Sequence, residues 1–456
     1  MGVSFRIRDF AYPLEIYRLK QRFDRNQWLD YGAVQAYQFS RIREILDHAL
    51  HHVAYYQKLF SDHGLHLAQI KTPDDLQKIP LLTKDLLRRN YTALAADNAR
   101  SFKPQKLSTS GTTGSAIEFL ADRHSNVLEF VYYWRYWGWF GYRLGDPFAE
   151  LSAEYFIARD QQHTVPFCHQ PLLRRLLLNS VCLAAEHAAS YIRALRKYQP
   201  RFLKGLASNL YLLALLCRNS AAHRVRFDAI FSQGERLLPH QRQTIEETFS
   251  CKVYDSYGHM ERTAAISQCP HGNYHVHSDY GLVHLERNDS DIACALSPDQ
   301  YLAEVIGTSL HNYAMPLIRY ATGDLVRVSK NPAYCSCGRS FPTVESIIGR
   351  NVDIIVTPDG RAVTAIYLAF DQTPGLLLAQ AVQEQVDVLV VRYDCAEYMK
   401  ENVEQQLINN LRKFTGPQMR LVLVKSSPAD FTQEPGGKFK AVISKVDLQH
   451  NFAFRS

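Results

Sequence analysis

No apolar run in this sequence comes near the roughly 20 residues that a membrane-spanning helix needs. The most conspicuous one, LYLLALLC at 210–217, is far shorter, so membrane insertion is not expected. The first 20 residues, MGVSFRIRDFAYPLEIYRLK, lack the apolar core of a secretory signal. Cysteine is scarce, odd in number and mostly scattered, with nine in 456 residues. That argues against a disulfide framework and for a reducing, cytoplasmic setting. Dense basic runs are missing too: RLKQRFDR (18–25) and LLRR (172–175) come nearest. The formal charge of +7 is mild over this length. It suits a solvated surface or a basic pocket for a phosphate-bearing ligand better than a nucleic-acid stripe, so no nucleic-acid partner is expected. Internal repeats and low-complexity tracts are also absent.

What remains is the composition of a globular protein, 46% hydrophobic and 21% charged. The length calls for two or three domains. Residues 1–99 form an α-rich section. Ile42, Ile45, Leu46, Ala49 and Val53 fall near helical spacing. Thr72 with Pro73, and Thr83 further on, are helix-start signals. From 100 to 345, strands such as 115–121, 227–235 and 302–310 alternate with helices at 187–198, 208–220 and 239–249. This alternation predicts an α/β fold with helices outside the sheet. The last 105 residues change character: a strand at 386–394, an amphipathic helix at 396–416 closed by Gly416, and a strand at 419–427. We expect a large domain at 1–348 and a small α+β C-terminal domain at 349–456.

One stretch fits neither helix nor strand. KLSTSGTTGS (106–115) is dominated by Ser, Thr and Gly. The glycines of Thr109-Ser110-Gly111-Thr112-Thr113-Gly114 allow the backbone to approach a ligand closely. Successive amides, with the hydroxyls of Ser110, Thr112 and Thr113, can then face phosphate oxygens. No Lys follows Gly114, so this is not a Walker A loop. By composition alone it would equally serve as a surface linker.

Four further stretches follow in order: YDSYGHMERTA (254–264), PLIRYATGDLVRV (316–328), IIGRNVDIIV (347–356) and PGGKFKAVIS (435–444). With the Ser/Thr/Gly loop they resemble the motif series of the adenylate-forming enzymes. IPLLTKDLLR, FSQGERLLPHQRQTIEETF, NYAMPLIRYATGD and CSCGRSFP make the resemblance closer to the phenylacetate–CoA ligase and CapK-like group. It spans nearly the whole chain.

The resemblance implies roles. Thr109–Gly114 would hold the phosphates of ATP. Glu261 would hold Mg²⁺ against them, since Mg²⁺ prefers oxygen ligands. Tyr257, with Gly258 beside it, would stack on adenine, and Gly234 and Glu235 would line the adenine side. Glu235 could otherwise be a helix-capping acid. Asp324 is acceptor-only when ionised and would take the ribose hydroxyls. Arg350 would contact ribose or phosphate. Lys438 would bridge the carboxylate and α-phosphate as charge builds, with Lys440 as its rival. The sequence departs from the pattern twice: Met260 stands where relatives often carry Thr, and Val352 where many have a polar hinge residue. The aromatic region 134–158, with Ser208, Asn209 and His259, falls where an acyl pocket is expected, although core packing is the alternative.

Separately, Cys335 and Cys337 form a Cys-x-Cys pair, and CPHGNYHVH (269–277) holds Cys269, His271, His275 and His277. Two such clusters can supply a four-ligand zinc site. We select Cys269, His275, Cys335 and Cys337 as ligands to a structural zinc, with His271 as the alternative to His275.

The expected activity is ATP-dependent conversion of a small-molecule carboxylic acid to an acyl-adenylate. The acyl group would then pass to CoA, a carrier-protein thiol or an amine, in a setting that includes polysaccharide biosynthesis. Transfer of AMP to a hydroxyl or phosphate, as in coenzyme F390 synthetases, and a non-catalytic scaffold are the alternatives. A homodimer is left open.

Overall fold

The computed structural model describes residues 13–108, 117–152, 165–183, 187–218, 225–287, 299–332, 334–350, 355–358, 362–363, 366, 369–370, 372–427, 430–432 and 440–446. The chain opens with helices α1 (Pro13–Asn26), α2 (Tyr31–His52) and α3 (Ala54–Asp62). Asp30 caps α2 by accepting from the Ala33 amide at 2.8 Å. Ile42, Ile45, Leu46, Ala49 and Val53 are all fully buried. Val53 is extended, so the apolar pattern that reads as one helix folds as two. Thr72 and Pro73 begin a 3₁₀ turn, and the Thr83 hydroxyl caps α4 (Lys84–Arg89). A short turn, α5 (Tyr91–Leu94), completes this section.

The strands β1 (Gln105–Ser108) and β2 (Glu118–Ala121) pair antiparallel on either side of the Ser/Thr/Gly loop. Helix α6 (Arg123–Gly138) follows, started by Asp122, whose carboxylate accepts from the Ser125 amide at 2.6 Å. A nine-stranded sheet carries the centre of the molecule. Its strands are β3 (Phe148–Ser152), β4 (Phe167–Gln170), β5 (Arg175–Asn179), β6 (Phe202–Gly205), β7 (Ala229–Gln233), β8 (Val253–Gly258), β9 (Ala265–Gln268), β10 (Tyr274–Val276) and β14 (Thr343–Val344). Strands β5, β3, β6, β7 and β8 are mutually parallel, and β9 turns back antiparallel.

Alternation on these strands feeds two cores. Phe148, Phe202 and Phe231 meet Tyr136 and Trp137 of α6 on one face. Leu151, Leu203 and Ile230 meet α7 (Ala188–Tyr198), α8 (Ala207–Cys217) and α9 (Pro239–Phe249) on the other. The Trp134–Trp137 stretch is therefore packed core.

A second sheet joins β11 (Gly281–Arg287), β12 (Gln300–Ser309), β13 (Tyr320–Ser329) and β15 (Ser346–Arg350) in that order, all antiparallel. It presses on the turn between β8 and β9. A Cβ added at Gly307 would lie 2.0 Å from the Thr263 hydroxyl, so only glycine admits this approach.

After a two-stranded ribbon, β16 (Ile355–Val356) with β17 (Ala362–Val363), a third sheet has the order β20-β19-β18-β21. It comprises β18 (Leu376–Gln385), β19 (Val388–Cys395), β20 (Arg420–Lys425) and β21 (Val442–Ser444). Helix α10 (Lys400–Thr415) buries Val403, Leu407, Leu411 and Phe414 against it and ends at Gly416. Leu302, Leu325 and Ile348 of the second sheet belong to the same apolar cluster. Among the described residues, no helix is long and apolar enough to cross a membrane.

Candidate active site

Parallel strands in an open α/β sheet gather their carboxyl ends along one edge, where ligands are bound. Here Gly205, Gln233 and Gly258 end β6, β7 and β8. Gly234 follows β7 with φ +74, and a Cβ added there would lie 3.0 Å from a Leu206 methyl. It turns the chain so that the Glu235 carboxylate accepts from the Ser208 amide at 2.9 Å. Glu235 is thus a cap on the first turn of α8, where negative charge is favoured. Gly258 is exposed, and a Cβ added there would lie 3.9 Å from the Tyr133 hydroxyl.

The β8–β9 turn carries Glu261. The Arg262 amide donates to the His259 carbonyl at 3.0 Å, closing the turn, and Arg262 takes a left-handed φ of 57°. Met260 packs against the apolar cluster of the α-rich section. The Glu261 carboxylate is buried, and both of its oxygens are engaged. Oε1 accepts from the Tyr320 hydroxyl at 2.7 Å, and Oε2 lies 3.1 Å from His259 Nδ1. Burial alone would raise this carboxyl. The hydrogen bond from His259, the charge that ring carries when protonated, and the hydrogen bond from Tyr320 outweigh it and hold the group below its ordinary range.

Asp324 lies on β13 four residues after Tyr320. Its carboxylate accepts from the Tyr257 hydroxyl at 2.8 Å, and its amide donates to Thr322 Oγ1 at 3.1 Å. Burial pushes both tyrosine hydroxyls well above their usual range, so they donate to the two carboxylates. The register of β13 and β15 sets Asp324 opposite Arg350. Tyr257, Glu261 and Asp324 are therefore brought together, with Arg350 on the adjacent strand. Thr109–Gly114, Val352 and Lys438 lie outside the described residues. Tyr320, inside a quoted motif, received no role from the sequence. Nothing in its spacing announces its bond to Glu261, which depends on two sheets meeting.

The Cys/His residues form a second centre behind β10. One ligand atom from each of Cys269, His275, Cys335 and Cys337 lies within 4.8 Å of the others. Cys269 and Cys335 Sγ are 3.7 Å apart, and Cys337 Sγ is 3.3 Å from His275 Nε2. His275 Nδ1 is 3.2 Å from the Phe341 carbonyl, which can only accept. That fixes the proton on Nδ1 and leaves the Nε2 lone pair toward the cysteines, as a metal ligand requires. Burial lowers the His275 imidazole to about 4, which keeps it neutral. Burial raises the Cys269 thiol to about 11. Cys335 is lowered instead: burial opposes this, but hydrogen bonds from the Cys337 amide and Asn273 overcome it. The donor set fits zinc. His271 does not join the group; it is exposed and bonds Ser336 at 3.0 Å. His277 instead contacts Arg135, at 2.7 Å, beside the buried Arg135–Asp279 pair.

The solved structure of 2-hydroxyisobutyryl-CoA ligase in the postadenylation state with 2-HIB-AMP superposes with a TM-score of 0.69. The match has 18% identity and covers 92% of this chain and 91% of that one. The fold is that of the adenylate-forming enzymes. The same ligase in its thioesterification state, with 2-HIB-AMP and CoA, gives a TM-score of 0.57 at 19% identity, over 93% and 92% of the two chains. In sequence, Protein CapK of Staphylococcus aureus is 22% identical over 417 residues, or 90% of this chain and 89% of that protein. Phenylacetate-coenzyme A ligase of Pseudomonas putida is 23% identical over 345 residues, or 71% and 72%. No family model matches the chain. This adenylate-forming fold and these relatives agree with the resemblance carried by the motifs.

Proposed function

We propose that this chain activates a carboxylic acid with ATP and then transfers the acyl group to CoA. A carboxylate oxygen attacks the α-phosphorus, pyrophosphate leaves, and the acyl-adenylate forms. A thiol then attacks the acyl carbon and AMP departs. The observation that carries this reading is the pairing of two buried carboxylates, Glu261 and Asp324, each held by a tyrosine hydroxyl at 2.7–2.8 Å in an adenylate-forming fold.

Each residue's part follows from its chemistry. Asp324 accepts from the ribose hydroxyls. Glu261 keeps lone pairs for Mg²⁺, which when bound offsets phosphate charge. The amides and hydroxyls of Thr109–Gly114 cradle the phosphates, Tyr257 and Gly258 border the adenine, and Gly234 shapes the same edge. Arg350 and Lys438 supply positive charge where it develops in the transition state. Residues 349–456 form the small domain that delivers Lys438. Cys269, His275, Cys335 and Cys337 hold a structural zinc, because four protein ligands leave no open position. The resemblance to CapK-like proteins motivates a place in polysaccharide biosynthesis, and the cysteine usage supports a cytoplasmic one.

The test is ATP-dependent pyrophosphate release against a panel of aromatic, aliphatic, amino and sugar acids, with Lys438→Ala beside the wild type. Release tied to one acid class should fall by about a hundredfold or more in the variant. A stable adenylylated hydroxyl or phosphate with no thioester would redirect the assignment to AMP transfer.

A further inference from the structure

The imidazole of His259 makes a set of contacts that the activation chemistry above does not use. Its Nε2 lies 3.2 Å from the Ala264 amide and 3.2 Å from Thr263 Oγ1. Its Nδ1 lies 3.1 Å from Glu261 Oε2. A backbone N–H can only donate, so Nε2 must be the acceptor. The proton of the neutral ring then sits on Nδ1 and is donated to Glu261. The contact is a hydrogen bond from a neutral imidazole, with the tautomer set by the protein backbone.

The surroundings explain why a histidine stands here. Ala264 and Thr263 are fully buried beneath the second sheet, so the Ala264 amide needs an acceptor inside the protein. Glu261 needs a donor on the opposite side of the same small space. A rigid ring with an acceptor at one end and a donor at the other meets both needs. The ring also lies 6.2 Å from that of Tyr320 and is inclined 25° to it. His259 and Tyr320 therefore approach Glu261 together, each taking one carboxylate oxygen. Arg262 secures the far side of the turn by donating to Asn126 of α6 at 2.6 Å. With the backbone pinned at both ends, the side-chain angle of Glu261 is set by these two donors.

We infer that His259 is a positioning residue for the nucleotide-bound cation: it fixes the Glu261 carboxylate in the orientation that receives Mg²⁺. A two-sided hydrogen-bonded carboxylate pays little ordering entropy when the ion arrives. The idea rests on the reading of Glu261 as the Mg²⁺ residue, and the test separates the two.

Two polar substitutions divide the functions of the ring. The amide of His259→Asn reaches the position of Nδ1, so it keeps a donor for Glu261 and abandons Ala264. The amide of His259→Gln reaches the position of Nε2, so it keeps an acceptor for Ala264 and abandons Glu261. ATP binding to the full chain is measured by calorimetry, once with Mg²⁺ and once with EDTA. No acid substrate is required. The glutamine variant should lose about tenfold in Mg²⁺-dependent ATP affinity, with no change in EDTA, and the asparagine variant should stay within about threefold of wild type. Glu261→Gln should abolish the Mg²⁺ enhancement.

If the enhancement is lost in Glu261→Gln while both His259 variants bind like wild type, the positioning role is wrong and the role of Glu261 stands. The positioning role also fails if asparagine is the more damaging change, because the ring would then serve the Ala264 amide. An enhancement that survives in Glu261→Gln would overturn the Mg²⁺ assignment and the inference with it.

Discussion

Two polar centres share the β8–β10 segment and are built on opposite plans. The Cys/His centre is closed. Its four ligand atoms come from two short segments and lie within 4.8 Å of one another, with a carbonyl and an asparagine fixing their proton positions. The carboxylate centre is dispersed. Glu261 is on a turn and Asp324 on another sheet, and the segments proposed to join them, Thr109–Gly114 and Lys438, stand more than a hundred residues to either side in sequence. A closed centre stands or falls as a unit, and its loss is felt in folding. A dispersed centre yields gradually, and the loss of one residue is felt in binding or rate.

Metal removal tests the first half of that contrast and should give the largest effect. The purified chain is expected to carry one zinc, measured by elemental mass spectrometry. Cys335→Ser or a strong chelator should lower the melting temperature by roughly 10 °C, the shift produced by a few kcal/mol in a large domain. A metal-free chain with an unchanged melting curve would remove the zinc proposal and the contrast built on it.

Asp255 connects the two centres and should show an intermediate effect. It lies on β8 two residues before Tyr257, and Tyr274, the neighbour of His275, donates to it at 3.4 Å. Burial raises its carboxyl to about 7, although the Arg242 charge opposes this. In the unfolded chain the group ionises near pH 4. The folded state therefore binds the extra proton between about pH 4 and 7. Stability from this group is complete below pH 4, falls as pH rises through that window, and is flat above it. Chemical denaturation should show Asp255→Asn losing this slope, with the variant's advantage growing to a few kcal/mol by pH 7. Equal slopes in the two proteins would show that Asp255 ionises freely.

Much of this was legible in the sequence, for identifiable reasons. The helices at 188–198, 207–217 and 239–249 matched their apolar patterns because each has a face on the large sheet. The break at Val53 was not, because the apolar spacing runs straight through it. Strand β18 went unread since it is buried on both faces over much of its length, which erases the period-2 alternation. The Cys/His group was legible because its ligands cluster in sequence. The link from Tyr320 to Glu261 was not, because contacts between residues 59 apart leave no local trace. Glu235 was read two ways, and the structure shows the capping contact: its carboxylate accepts from the Ser208 amide at the start of α8.

The finest test concerns the dispersed centre. Tyr257 donates to Asp324 Oδ2, so one lone pair of that oxygen is already taken by the protein. A diol bound at this carboxylate would share its acceptors with that tyrosine. Asp324→Asn keeps one acceptor and turns the other oxygen into a donor. ATP affinity should fall about tenfold, the usual scale for one charge-assisted hydrogen bond. The sharper measurement compares ATP with 2′-deoxy-ATP in both proteins. Wild type should discriminate between them, and the asparagine variant should discriminate less, because removing the sugar hydroxyl and removing its acceptor report the same contact. If the two losses simply add, Asp324 does not touch the 2′-hydroxyl, and its place in the motif reflects its bond to Tyr257 alone.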